Sequence, residues 1–130
     1  MSISDYIKSA DFKTEKHVPV IEAPRKADSG KTFMVSVIVG KEISHPNTTE
    51  HFIESLVLYF KAEGTKAAIE LGRAAFSAHG ASSEGANQGV VYTEPVAQFA
   101  INLTKSGTLT AISYCNIHGL WESSVEITIQ

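Results

Sequence analysis

Apolar and polar residues alternate over short stretches of this chain, and this period of two constrains the fold more than any other feature. Residues 32–39 are rich in β-branched side chains and place Phe33, Val35, Val37 and Val39 on one face. Successive side chains of a strand point to opposite faces of a sheet, so this stretch predicts a strand with one buried face. Similar stretches follow at spacings of about ten residues, joined by Gly, Pro and Ser turns, which indicates an all-β sandwich.

The same pattern predicts further strands at 51–61, 67–71, 90–93, 96–103, 108–114 and 123–129. In the first of these, Phe52, Leu56, Leu58 and Phe60 lie on one side, and Glu54 interrupts the apolar set. Residues 67–78 are equally compatible with a short helix, because alanine favours helix.

Three connecting segments have their own signals. Residues 3–9 predict one or two turns of helix, with Ser2 or Ser4 as the N-cap. Residues 80–89 are polar and glycine-rich, which predicts a mobile surface loop. Residues 105–107 predict a hairpin connection between the strands on either side.

Length and composition predict one domain over residues 1–130, large enough for a core without disulfides. The single cysteine excludes an intramolecular disulfide and any site that needs two thiolates from one chain. The N-terminus has no signal-peptide pattern, and no apolar run approaches the roughly 20 residues that span a bilayer. A net charge of −3 gives no general attraction for nucleic acid or acidic membranes. We therefore expect a soluble, cytoplasmic protein.

The residues that could bind a metal fall in three segments that look like loops or strand ends. Cys115 and His118 lie three positions apart within the stretch from Ser113 to Trp121. His17 lies in a loop-like segment, and His45 and His51 flank a loop that contains a proline. Loops at one end of a sandwich bring side chains from distant strands together, so these residues could share one ion.

The fifth histidine, His79, is separate from these segments and is interpreted as uninvolved. Zinc in structural sites prefers sets richer in cysteine, and calcium and magnesium prefer oxygen ligands. Imidazoles with one thiolate suit iron or copper, and on ligand chemistry alone both stay open. Tyr-Cys-x-x-His at a strand end also occurs in blue-copper proteins, but no methionine follows His118 as a copper ligand.

Three motifs, in order along nearly the whole chain, resemble superoxide reductase, in particular the one-iron type called neelaredoxin. They are Glu-Lys-His-Val-Pro at 15–19, Gly-Lys-Glu-Ile-x-His-Pro-Asn-Thr-x-Glu-His at 40–51, and Tyr-Cys-Asn-Ile-His-Gly-Leu-Trp-Glu at 114–122. Two-iron relatives carry an additional domain with a four-cysteine iron site, which a chain with one cysteine cannot build.

The resemblance implies an immunoglobulin-like β-sandwich and a mononuclear non-haem iron. The implied ligands are four equatorial imidazoles and one axial thiolate, supplied by His17, His45, His51, His118 and Cys115. Glu15 matches the glutamate that binds ferric iron, and Lys16 matches the lysine that attracts superoxide and helps deliver protons. The implied reaction reduces superoxide to hydrogen peroxide with an electron from rubredoxin or a similar donor. Relatives of this kind commonly form homotetramers or dimers, so the resemblance implies a homo-oligomer, with a tetramer as the expected form.

Overall fold

The computed structural model describes all residues from 1 to 130, and its regular structure is almost entirely β. The strands are β1 (Val20–Glu22), β2 (Lys26–Ala27), β3 (Phe33–Ile38), β4 (Ile53–Ala62), β5 (Ile69–Ala75), β6 (Val96–Ile101), β7 (Gly107–Cys115) and β8 (Gly119–Ile129). A short 3-10 helix at Ile3–Tyr6 precedes them, with Ser2 as its N-cap. No helix is long and apolar enough to cross a lipid bilayer.

The strands form two sheets, one of three strands in the order β1-β3-β6 and one of five in the order β2-β8-β7-β4-β5. All pairings are antiparallel except the short parallel pairing of β2 with β8. The apolar faces of the two sheets supply one buried cluster, which includes Val35 and Val37 from the first sheet and Leu56, Leu58 and Leu109 from the second. The predicted immunoglobulin-like β-sandwich is confirmed.

The predicted inner face of β3 is correct, since Val35 and Val37 are fully buried and Val39 is 4 % exposed. In β4 the prediction fails at one end. The pairing with β7 shifts register between Ile53 and Ser55, and Ile53 is buried where Glu54 is exposed. A bulge of this kind changes which residues face the core, so an alternation counted back from Leu56 gives the wrong side.

Residues 69–75 form strand β5 rather than a helix, at the edge of the larger sheet beside β4. Pairing with β4 satisfies the backbone on one side of this alanine-rich segment. Gly72 also allows close packing, because a Cβ atom there would lie 2.6 Å from the Phe99 ring. Tertiary contacts therefore outweigh the helix propensity of alanine.

Two other predictions are wrong. Residues 90–93 form no strand; Val90 is 95 % exposed, and the only sheet contact is an isolated bridge between Tyr92 and His79. Residues 105–107 do not close a hairpin, because β6 and β7 belong to different sheets. Ile101 and Leu103 are both buried there, so the chain crosses the end of the core instead of turning outward. The short strands β1 and β2 were not predicted.

Candidate metal centre

Each predicted ligand lies at a strand end or in a connection between two strands. His17 precedes β1, and His45 and His51 lie in the connection from β3 to β4. Cys115 is the last residue of β7, and His118 lies in the turn that joins β7 to β8. The neighbouring strands β4, β7 and β8 bring two of these segments to one end of the larger sheet. The third segment is tied to the same end, because the Ser113 hydroxyl of β7 donates to the carbonyl of His17 at 2.8 Å.

The donor atoms of these residues converge. One donor atom each from His17, His45, His51 and Cys115 lie within 4.8 Å of one another. His118 joins them, because its Nδ1 lies 3.1 Å from Nε2 of His17, 3.2 Å from Nε2 of His51 and 3.8 Å from the Cys115 sulfur. The structure therefore brings together all five residues that the motifs single out.

The hydrogen bonding of His45 shows which of its two ring nitrogens is free to bind a metal. His45 donates from Nδ1 to the carbonyl oxygen of Pro46, 2.7 Å away, and its buried Nε2 has no hydrogen-bond partner. A carbonyl can only accept, so Nδ1 carries the hydrogen and Nε2 offers a lone pair. An unpartnered, buried lone pair aimed at neighbouring donor atoms fits a metal ligand.

Burial favours the neutral, metal-binding form of the imidazoles. Burial is the main reason that the pKa of His45 falls to about 4, and the charges of nearby groups lower it further. The pKa values of His17 and His51 are also lowered, again mainly by burial. Neutral imidazoles beside a thiol suit a transition metal and not a hard, oxygen-seeking cation.

The turn that carries Cys115 and His118 is shaped around the sulfur. The Cys115 side chain is fully buried, and the backbone N–H of His118 donates to its sulfur at 3.4 Å. Gly119 closes the turn with a φ of 81°, a conformation that side chains with a Cβ atom rarely adopt. The short spacing and this turn place the near nitrogen of His118, Nδ1, towards the centre.

Glu15 and Lys16 lie beside the cluster, each partly buried. The Glu15 carboxylate accepts hydrogen bonds from the backbone N–H and from Nδ1 of His17. Burial would raise the pKa of this carboxyl, but the bonds from His17 and the charge of Lys16 outweigh burial and lower it. Glu15 is therefore ionised and holds His17 with Nε2 towards the centre, and it is not itself among the clustered donor atoms.

The surroundings include residues to which the sequence assigned no chemistry. The Trp121 ring stacks on the His17 ring, with 5.0 Å between the two centroids. The Lys8 ammonium lies over the indole ring of Trp121, 5.4 Å from its centroid. Asn116 accepts from the N–H of Phe52 and donates to the carbonyl of Glu50. Its position between two predicted ligands was the only sequence signal for this role.

His79 lies outside the cluster, as predicted. The polar residues 80–89 form a surface loop, and Asn87 within it bonds Thr49 of the segment between His45 and His51. No sequence pattern indicated that contact.

Comparisons with known proteins agree with this geometry. Residues 9–124 match the family model described as desulfoferrodoxin. A superoxide reductase of Pyrococcus furiosus is 54% identical over 125 residues, covering 96% of this chain and 98% of that protein. A neelaredoxin of Megalodesulfovibrio gigas is 47% identical and is covered over the full length of both chains.

Solved structures give the same result. The superoxide reductase (neelaredoxin) of Archaeoglobus fulgidus in its reduced form superposes with a TM-score of 0.87 at 55% identity, covering 95% of this chain and 98% of that one. The superoxide reductase (neelaredoxin) of Ignicoccus hospitalis has a TM-score of 0.82 at 38% identity, with both chains covered completely. In sequence, fold and the arrangement of its histidines and cysteine, this chain belongs to the desulfoferrodoxin family, among its superoxide reductases.

Proposed function

We propose that this protein, a single domain, is a superoxide reductase that works at one iron held by four imidazoles and one thiolate. The observation that carries the proposal is the convergence of five donor groups from three separate segments at one end of the sandwich. The proposed ligand atoms are Nε2 of His17, His45 and His51, Nδ1 of His118 and the sulfur of Cys115. The family membership and the lone pair of His45 support iron at this position.

The reaction consumes one superoxide, one electron and two protons and produces one hydrogen peroxide. The iron, when bound, supplies the electron and is then reduced again by an external donor. The chain has one cysteine and no second site for a redox metal made of thiolates, so the electron comes from another protein. We propose a small iron protein such as rubredoxin as that donor. We also propose that this protein forms a homo-oligomer, a tetramer by resemblance to its relatives, and that it works in the cytoplasm.

Cys115 provides the thiolate in this proposal. Its full burial keeps the sulfur away from water, and the backbone N–H of His118 donates to it at 3.4 Å. Glu15 orients His17 through Nδ1, and we assign to the same carboxylate the role of an additional ligand in the oxidised state. That second role requires the carboxylate to turn away from His17.

Lys16 provides positive charge for an anionic substrate. Lys16 directly precedes His17 and is partly buried. Burial is the main cause of the lowered pKa values of His17, His45 and His51, and the positive charge of Lys16 lowers them a little further. Salt screens exposed charges beyond about 8 Å, so the net charge of −3 matters less to superoxide than this nearby ammonium. Lys16 therefore attracts superoxide and passes protons to the product through water.

The proposal is tested by measuring iron content, the visible spectrum and the products of superoxide consumption in the purified protein. We expect one iron per chain, a band from thiolate to ferric iron, and one peroxide for each superoxide with no release of O2. Release of O2 at half the superoxide consumed would identify a dismutase instead. Stoichiometric copper would overturn the assignment of the metal.

The variant Lys16→Ala is expected to slow the reaction with superoxide by about tenfold, because a local field from a charge near the site raises the association rate. The rate should also depend less on ionic strength. Rapid-mixing measurements over a range of salt concentrations check both results. Lys13→Ala is the matched control, since Lys13 is exposed and lies three residues earlier. Equal rates and equal salt slopes in the two variants would show that Lys16 does not attract the substrate.

A further inference from the structure

His79 is buried, at 7 % exposure, just after the edge strand β5. Its ring lies between two oxygen acceptors: Nδ1 is 2.7 Å from Oδ1 of Asn47, and Nε2 is 2.8 Å from the carbonyl oxygen of Phe76. The orientation of the Asn47 side-chain amide is fixed by its nitrogen, which donates to the carbonyl of Thr93 at 3.1 Å. Oδ1 therefore faces the ring, and His79 ties Asn47 to the end of β5.

Asn47 lies between the two proposed ligands of one segment, His45 and His51. We refer to residues 45–52 as the ligand loop. His79 contacts this loop at two further points, since its ring stacks on Phe52 at 3.8 Å with an angle of 7°, and its carbonyl accepts from the Thr49 hydroxyl at 3.3 Å. A single residue thus contacts two positions between the proposed ligands, Asn47 and Thr49, and the residue directly after His51.

The ligand loop has no strand structure of its own to hold it before β4 begins. Its other contacts show how it is fixed on the remaining sides. Asn87 and Thr49 bond each other reciprocally, from backbone N–H to side-chain oxygen in both directions, at 2.7 and 2.9 Å. On the side of the cysteine, Asn116 bonds both Glu50 and Phe52. His79 is the only one of these partners that is buried.

We propose that His79 is a positioning residue for the metal centre: it holds the ligand loop so that His45 and His51 are preorganised to bind a metal. The inference rests on the proposed assignment of those two histidines as ligands. If a flexible loop becomes ordered only when the metal binds, the conformational entropy that it loses weakens the binding of the metal. Loss of a hydrogen bond made directly to a metal ligand commonly weakens binding by about 10- to 100-fold. His79 contacts the loop between the ligands and not the ligands themselves, so we expect an effect at the lower end of that range.

The test uses the full-length protein loaded with Co²⁺, whose binding can be followed by the thiolate-to-cobalt absorption. His79→Phe keeps a flat ring against Phe52 but removes both ring nitrogens, and with them the polar contacts to Asn47 and Phe76. We expect Co²⁺ to be lost about tenfold faster to excess EDTA than from the wild type, with a shifted absorption band. Asn47→Ala removes the same bond from the side of the loop, and we expect the same direction of change if His79→Phe does not fold.

Val35→Ala is the control for general destabilisation, because Val35 is fully buried in β3 and takes no part in the ligand loop. Its Co²⁺ loss and spectrum should match those of the wild type. Wild-type rates and spectrum in folded His79→Phe would overturn the inference while leaving the proposed function intact. Rapid loss of Co²⁺ from a Val35→Ala variant that is as stable as His79→Phe would also overturn the inference, because it would show that any loosening of the fold releases the metal. A wild type that binds no metal would instead overturn the ligand assignment.

Discussion

Replacing Cys115 by serine is expected to remove the visible thiolate absorption and to lower superoxide reduction by at least about 100-fold. Substitutions behind a ligand already cost up to about this factor, and Cys115 is proposed to bind the metal directly. Serine has nearly the same shape, so the fully buried position should still be filled. A hydroxyl binds iron far less well than a thiolate and gives no sulfur charge-transfer band. Absorption spectra, iron analysis and rapid-mixing kinetics on the same preparation check the result.

The matched control is Ala111→Ser, which places the same hydroxyl on the same buried face of β7, four residues before Cys115. That variant should be less stable but should keep the absorption band and its activity per iron. Superoxide reduction at the wild-type rate by Cys115→Ser would contradict the role of the thiolate. Loss of the band in both variants would mean that a buried hydroxyl in β7 disturbs the whole site.

The second large effect is expected from Leu58→Ala, which should lower the free energy of unfolding by about 2–5 kcal/mol. Leu58 is fully buried in β4, between β5 and β7 in the larger sheet, so its removal leaves a cavity that neighbouring strands cannot readily fill. Domains of this kind are stable by only about 5–15 kcal/mol, so the loss is a large share of the total. Urea unfolding of the metal-free protein, followed by circular dichroism, measures the change.

Val90→Ala is the comparison, because Val90 is 95 % exposed and its truncation should change stability by less than about 0.5 kcal/mol. If Leu58→Ala were as stable as Val90→Ala, the two sheets would not share the core described above. Measuring the metal-free protein separates the contribution of packing from the additional stability that a bound metal gives.

The sequence predicts the parts of the fold that depend on alternation alone. The inner face of β3 follows from its β-branched residues, and it is confirmed by the burial of Val35 and Val37. The register shift at Ile53 does not follow, since a bulge depends on how β4 pairs with β7 and not on β4 itself. β1 and β2 are too short, at three and two residues, to show any period, and only their partners make them strands.

The candidate site divides in a similar way. Its ligand residues are chemically distinctive, so the motifs that contain His17, His45 and Cys115 predict a convergence that the structure shows. The residues that hold these ligands are ordinary polar side chains. Asn87 owes its role to loops that meet only in the folded chain, and nothing in its local sequence distinguishes it from other asparagines. Asn116 is distinguished only by its position between Cys115 and His118, which does not indicate its partners. The sequence therefore indicates which residues bind but not what keeps them in place.

The pairing of Cys115 with Ile53 across β4 and β7 has a consequence for which metal a preparation contains. The ladder and the bonds of Asn116 connect the thiol to the residues on either side of His51, so the separation of these two donors is set by the backbone whatever ion they bind. A site of nitrogen and sulfur donors binds Cu²⁺ and Zn²⁺ more tightly than Fe²⁺, following the general order of divalent metals. Occupancy by iron would then reflect the supply of metals during synthesis, and protein made in zinc-rich medium would carry zinc, colourless and inactive, in an unchanged fold.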